Sequence, residues 1–75
     1  MAKAFVLINV QTGTEDKVIK QLKTAKNVSE AYFVYGVYDF IVTVTAPTTD
    51  ELKDSVLSLR KISEITSTLT MMVIE

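Results

Sequence analysis

The sequence predicts an α+β domain of order βαββαβ, and three observations carry that reading. Four short runs rich in β-branched and aromatic residues alternate with two segments whose apolar residues recur at helical spacing. Each helical segment opens on Thr-x-x-Glu, a spacing suited to a helix N-terminus. Both glycines, Gly13 and Gly36, fall between runs, where a turn can require positive φ.

Residues 3–10 (KAFVLINV) are too short and too rich in Val and Ile for a good helix and form the first predicted strand. Thr12 and Glu15 are spaced as a capping box for a helix whose apolar face is Val18, Ile19, Leu22 and Ala25. Glu15 and Asp16 lead that helix and Lys20, Lys23 and Lys26 close it, which complements the helix dipole. Residues 28–35 and 40–46 read as the second and third strands, joined by the tight connection Gly36-Val37-Tyr38-Asp39, and Pro47 ends the third. Thr48 to Glu51 repeats the capping arrangement before a second amphipathic face of Leu52, Val56 and Leu59, which runs out at Arg60 and Lys61. Residues 66–74 (TSTLTMMVI) make the fourth strand. Two such βαβ halves joined by right-handed crossovers interleave into one four-stranded antiparallel sheet with both helices on one face, the ferredoxin-like arrangement.

Seventy-five residues make one domain. A chain this short buries only roughly 60 % of its unfolded surface, so it needs a disulfide, a metal or self-association. Cysteine and histidine are both absent, which removes disulfides and the common zinc, iron and copper ligands and leaves self-association. The apolar pattern agrees. Ala4, Val6, Ile8 and Val10 fall on one face of the first strand, and Phe5 and Leu7 on the other. The second strand sets Ala31, Phe33 and Tyr35 against Tyr32 and Val34, and Met72 and Ile74 are expected to add apolar area to the uncovered face. Two helices cover one face, so the other predicts a dimer closed sheet to sheet.

Eight basic and nine acidic residues give a net charge of −1, without the basic excess of a nucleic-acid binder. The longest apolar run, residues 4–8, is far below the ~20 residues of a membrane helix, and no signal-peptide pattern opens the chain. A soluble, cytoplasmic protein without membrane or direct nucleic-acid contacts is expected. Catalysis is poorly provided for: there is no His or Cys, and no Gly-rich phosphate loop. The paired carboxylates Glu15/Asp16 and Asp50/Glu51 stand at helix starts, where capping explains them, and Arg60 at a helix end reads as a dipole partner. No enzyme activity, cofactor or metal is expected.

Two segments remain. Tyr35-Gly36-Val37-Tyr38-Asp39 packs aromatics, a glycine and a carboxylate into one turn, and Ser67-Thr68-Leu69-Thr70 sets hydroxyls along the last strand. Together they suit an amino acid: a carboxylate for its ammonium, hydroxyls and free N–H groups for its carboxylate. Taken singly, Asp39 could brace the turn and the threonines could be ordinary strand residues.

In this order, the opening residues 4–10, the Gly36-x-Tyr38-Asp39 turn with the apolar strand after it, the helix over 52–62 and the closing Ser67-Thr68-Leu69-Thr70 resemble the Lrp/AsnC transcription regulators. The part resembled is their ligand-binding (RAM) domain, over essentially the whole chain. The resemblance implies dimers made through the sheets, a dimeric α/β-barrel type of assembly, and further association, often four dimers to a ring, an octamer. It also implies a small-effector site, commonly for an amino acid, at the contact between dimers, to which Gly36, Tyr38, Asp39, Ser67, Thr68 and Thr70 would contribute. Family regulators carry an N-terminal helix-turn-helix half, whereas this chain begins at the first strand. It is therefore expected to be a single effector module over 1–75 without a DNA-binding domain, modulating transcription by co-assembly with full-length regulators. A structural assembly module without ligand, an ACT-like regulatory domain and, on fold analogy alone, a small α+β-barrel enzyme are the competing readings.

Overall fold

The computed structural model describes residues 1–74. Its elements run β1 (Ala2–Val10), α1 (Glu15–Thr24), β2 (Val28–Phe33), β3 (Phe40–Ala46), α2 (Thr49–Arg60) and β4 (Ile65–Met72). The strands form one antiparallel sheet in the order β2-β3-β1-β4, the ferredoxin-like topology expected from the alternating pattern. No helix among the described residues is long and apolar enough to cross a membrane.

Strand alternation builds the core. Ala4, Val6 and Ile8 stand directly opposite Val44, Val42 and Phe40, and all six are fully buried beneath the helices. Val18 and Leu22 of α1 and Leu52, Val56 and Leu59 of α2 close the layer. Each such large side chain, fully buried, stabilises the fold by roughly 1.5–3 kcal/mol. Asn27, at φ 69°, turns the chain from α1 into β2. Its side-chain amide donates to Ser55 Oγ at 2.7 Å, tying that corner to α2.

The helix starts differ from one another. At α2 the expected cap forms, with Thr48 Oγ1 accepting from Glu51 N at 3.2 Å. At α1 the Thr12–Glu15 capping box does not form. The N-cap is Thr14, whose hydroxyl donates to Gln11 O at 2.6 Å and caps nothing, while Glu15 Oε1 reaches back to accept from Gly13 N at 2.9 Å. Gly13, at φ 90°, curls the chain there and carries the helix start two residues past the expected cap.

Strand ends also move. β2 stops at Phe33 rather than continuing to residue 35, because its last partner is Phe40 and no β3 residue remains beyond it. β4 runs over Ile65–Met72 instead of 66–74. It pairs Ser67 with Asn9 and Ile65 with Val10, so Thr66 is an extra, bulged residue. The register settles the faces: Met72 stands opposite the buried Ala4 and so lies on the helix side, not on the uncovered face, and Ile74 lies past the strand. The uncovered face instead carries Leu69 and Met71, each 45 % exposed, beside Phe5, Leu7 and Ile41. Tyr32 and Thr43 continue it toward β2. The expected apolar second face is present, with different β4 residues on it.

The two helix starts make a paired prediction. Thr48→Ala should cost about 1 kcal/mol of unfolding free energy, whereas Thr12→Ala should leave it within a few tenths. Urea denaturation of both variants checks this, and an equal loss at Thr12 would contradict the cap assignment.

Candidate functional site

The turn half of the candidate site is built by a strand that ends early. β3 begins at Phe40, opposite Ile8, so β1 projects two residues past its neighbour. Asp39 fills the gap. Its Oδ2 accepts from Val10 N at 2.9 Å, in place of the carbonyl that a longer β3 would have offered. Its own N–H donates to Ile8 O at 3.0 Å and to Asn9 Oδ1 at 3.1 Å, and its carbonyl accepts from Val34 N at 2.8 Å. Gly36, at φ +149°, is exposed with open space where a Cβ would stand, so the backbone conformation and not crowding calls for glycine. Tyr38 is half-buried, and Tyr35 and Val37 are exposed.

Alternation along β4 divides the hydroxyl half. Ser67 faces Asn9 on the uncovered side, where its Oγ accepts from Asn9 Nδ2 at 3.3 Å. Thr68 and Thr70 stand opposite Ile8 and Val6 and therefore point to the helix side, toward the end of α2. A shallow depression of about 380 Å³ there is lined by Arg60, Ile65, Thr66, Ser67 and Thr68.

The six expected residues thus occupy two surfaces of one chain. β3 and β4 flank β1 and stand roughly 10 Å apart, at about 4.8 Å per strand. Asn9 ties Ser67 to the turn, accepting from Asp39 N and donating to Ser67 Oγ, and leaves Thr68 and Thr70 apart on the helix side. Sequence reasoning assigned Asn9 no role. Its signal was available: it is a lone amide in an apolar strand, at the parity of Phe5 and Leu7. Two hydrogen bonds to carboxylates outside these surfaces each shift a titrating group. Tyr32 donates to Glu30 Oε2 at 2.7 Å, and that hydrogen bond to a carboxylate holds the proton and raises the phenol above its ordinary range. Lys17 Nζ donates to Glu64 Oε2 at 2.8 Å, and that bond holds Glu64 below the usual carboxylate range.

The engagement of Asp39 separates two variants. Asp39→Ala leaves the Val10 N–H without its acceptor and should cost roughly 1–3 kcal/mol, whereas Asp39→Asn keeps a carbonyl oxygen in place and should cost clearly less. Denaturant unfolding of both decides this, and equal losses would mean that the charge, not the acceptor, holds the turn.

A family model described as the Lrp/AsnC ligand-binding domain matches residues 3–75. The solved structure of FFRP-DM1 is 40 % identical with TM-score 0.93, covering 99 % of this chain and 100 % of its own. The protein PHS023 from Pyrococcus horikoshii is 39 % identical with TM-score 0.92, covering 100 % of this chain and 92 % of its own. Escherichia coli AsnC is 25 % identical with TM-score 0.88, and this chain spans 99 % of its own length but 51 % of AsnC. No curated protein sequence matches. With the ferredoxin-like sheet, the Gly36–Asp39 turn and a family match over nearly every residue, this chain belongs to the Lrp/AsnC ligand-binding domain family.

Proposed function

We propose that this chain is a small-effector sensor that binds an amino acid where copies of the domain meet, and that it acts on transcription by co-assembling with full-length regulators in the cytoplasm. One observation carries the reading: the turn, with Ser67 tied to it through Asn9, and the pair Thr68 and Thr70 stand on separate surfaces of one chain. A ligand needing both is held only between chains, which couples binding to assembly. The family supports the ligand class. A regulator from Neisseria meningitidis, NMB0573, shares the fold at 12 % identity and TM-score 0.85 over 50 % of its length, and its structure is a complex with L-Met. A net charge of −1 without a basic cluster favours action through a partner over direct contact with DNA.

Self-association follows from the uncovered sheet face, where Phe5, Leu7, Ile41, Leu69 and Met71 make a contiguous apolar surface. Sheet-to-sheet closure would hide it with a twofold. A second reading has one observation in its favour. The Asp39 carboxylate already serves Val10, so the turn could be purely structural and the chain an assembly module without ligand.

Thermal unfolding against each of the twenty amino acids at millimolar concentration tests the sensor reading. A ligand at about 100 times its Kd should add roughly 2.7 kcal/mol, a readily measured rise in the midpoint. Asp39→Asn, which keeps the fold, should abolish that rise. No rise with any amino acid would leave the assembly module as the better account. For the sheet interface, Leu69→Lys places a charge in the apolar face and should shift the protein to a smaller species by light scattering. An unchanged mass would put the contact elsewhere.

A further inference from the structure

α2 and the free edge of β4 form a groove whose chemistry is narrower than that of the turn. Val73 N donates to Lys3 O at 2.9 Å, continuing the ladder in which Met72 stands opposite Ala4. Antiparallel pairing alternates, so Ser67, Leu69 and Met71 turn their backbone groups to β1. Thr68, Thr70 and Met72 turn theirs outward, where no further strand lies among the described residues. The side chains of the same three residues point to the helix side. Thr68 and Thr70 therefore present a free N–H at the sheet edge and a hydroxyl beside α2.

The helix supplies the rest. Lys53 and Arg60, seven residues and about two turns apart, stand on one face of α2. With Val56, Leu57, Thr70 and Met72 they line a depression of about 320 Å³, and Arg60 also lines the polar depression of Thr66, Ser67 and Thr68 beside it. Arg60 thus stands between an apolar floor and a row of donors. No aspartate or glutamate lines either depression, and residues 65–74 carry no charge. A groove with two cations, hydroxyl and N–H donors, an apolar floor and no acid complements an anion with an apolar tail.

We propose that this groove is a site for a small aliphatic carboxylate. Its carboxylate is held by the Arg60 guanidinium with the hydroxyl and N–H of Thr68 or Thr70, and its tail lies on Val56, Leu57 and Met72. The proposal rests on the sensor reading only in sharing Thr68 and Thr70, and it makes the ammonium of an amino acid dispensable. A 2-oxo acid and the matching amino acid share the recognised chemistry, and two cations in the groove favour the former.

Amide NMR of the intact protein, titrated separately with 4-methyl-2-oxopentanoate, acetate, L-leucine and 3-methylbutylamine, tests this. The oxo acid should shift the Thr68 and Thr70 amides and Arg60 Nε–H saturably, and the amine should not. Arg60→Gln should weaken the oxo acid about tenfold. Leu57→Asn should weaken the oxo acid and leave acetate unchanged. Undiminished binding to Arg60→Gln, or no response to any carboxylate, overturns the groove. Leucine and oxo-acid shifts both confined to residues 36–39 overturn it while leaving the sensor reading in place. Oxo-acid binding at Thr68 and Thr70, with no amino acid stabilising the protein, upholds the groove and removes the amino-acid reading.

Discussion

A four-stranded sheet has two faces, and this chain has helices enough for one. Everything else in the molecule answers to that constraint. Because β1 and β3 occupy the middle of the sheet, their inward residues from Ala4 to Val10 and from Phe40 to Ala46 are sealed by α1 and α2. Among the described residues, no helix covers their outward side. In a domain of 75 residues the buried layer is thin, and stability and association draw on the same strands. A second copy laid on the open face, as proposed above, would therefore complete a core rather than decorate a finished one.

The same constraint explains where polar chemistry collects. Asp39, Asn9 and Ser67 are linked by hydrogen bonds at the end of β1 where the sheet frays: β3 has not yet begun and β4 is bulged at Thr66. Irregular pairing there leaves backbone groups that side chains must satisfy, and those side chains are held in place as a result. A fixed polar cluster at the rim of an apolar face suits recognition at an interface, since the apolar part supplies association and the rim supplies selectivity.

The fold was legible because each element announced itself by period and punctuation. Val18 and Leu22, Leu52, Val56 and Leu59 fall inside as their spacing requires, and Pro47 ends β3 one residue after Ala46. What failed to read depends on register, which a single strand does not encode. The face of Met72 is set by its pairing with Ala4 through a bulge at Thr66, and nothing in TSTLTMMVI marks a bulge. The capping box at Thr12 matched in pattern and failed in geometry because Gly13 takes a positive φ and delays the helix. The candidate site was half legible for the same reason. Residue types named the turn and the hydroxyls, while only the pairing of β4 shows that Ser67 faces one way and Thr68 and Thr70 the other.

The central place of β1 also shapes how the chain reaches its structure. Both neighbours of β1 are distant in sequence, and β4, from Ile65, is made about 55 residues after β1 ends at Val10. Pairings between remote segments close large loops before they return any stabilisation, so this topology folds slowly for its size. Until β3 appears, AKAFVLINV waits as an unpaired apolar strand in the nascent chain. Lys3, Asn9 and the polar Gln11-Thr12 that follows guard it against pairing with the wrong partner during synthesis.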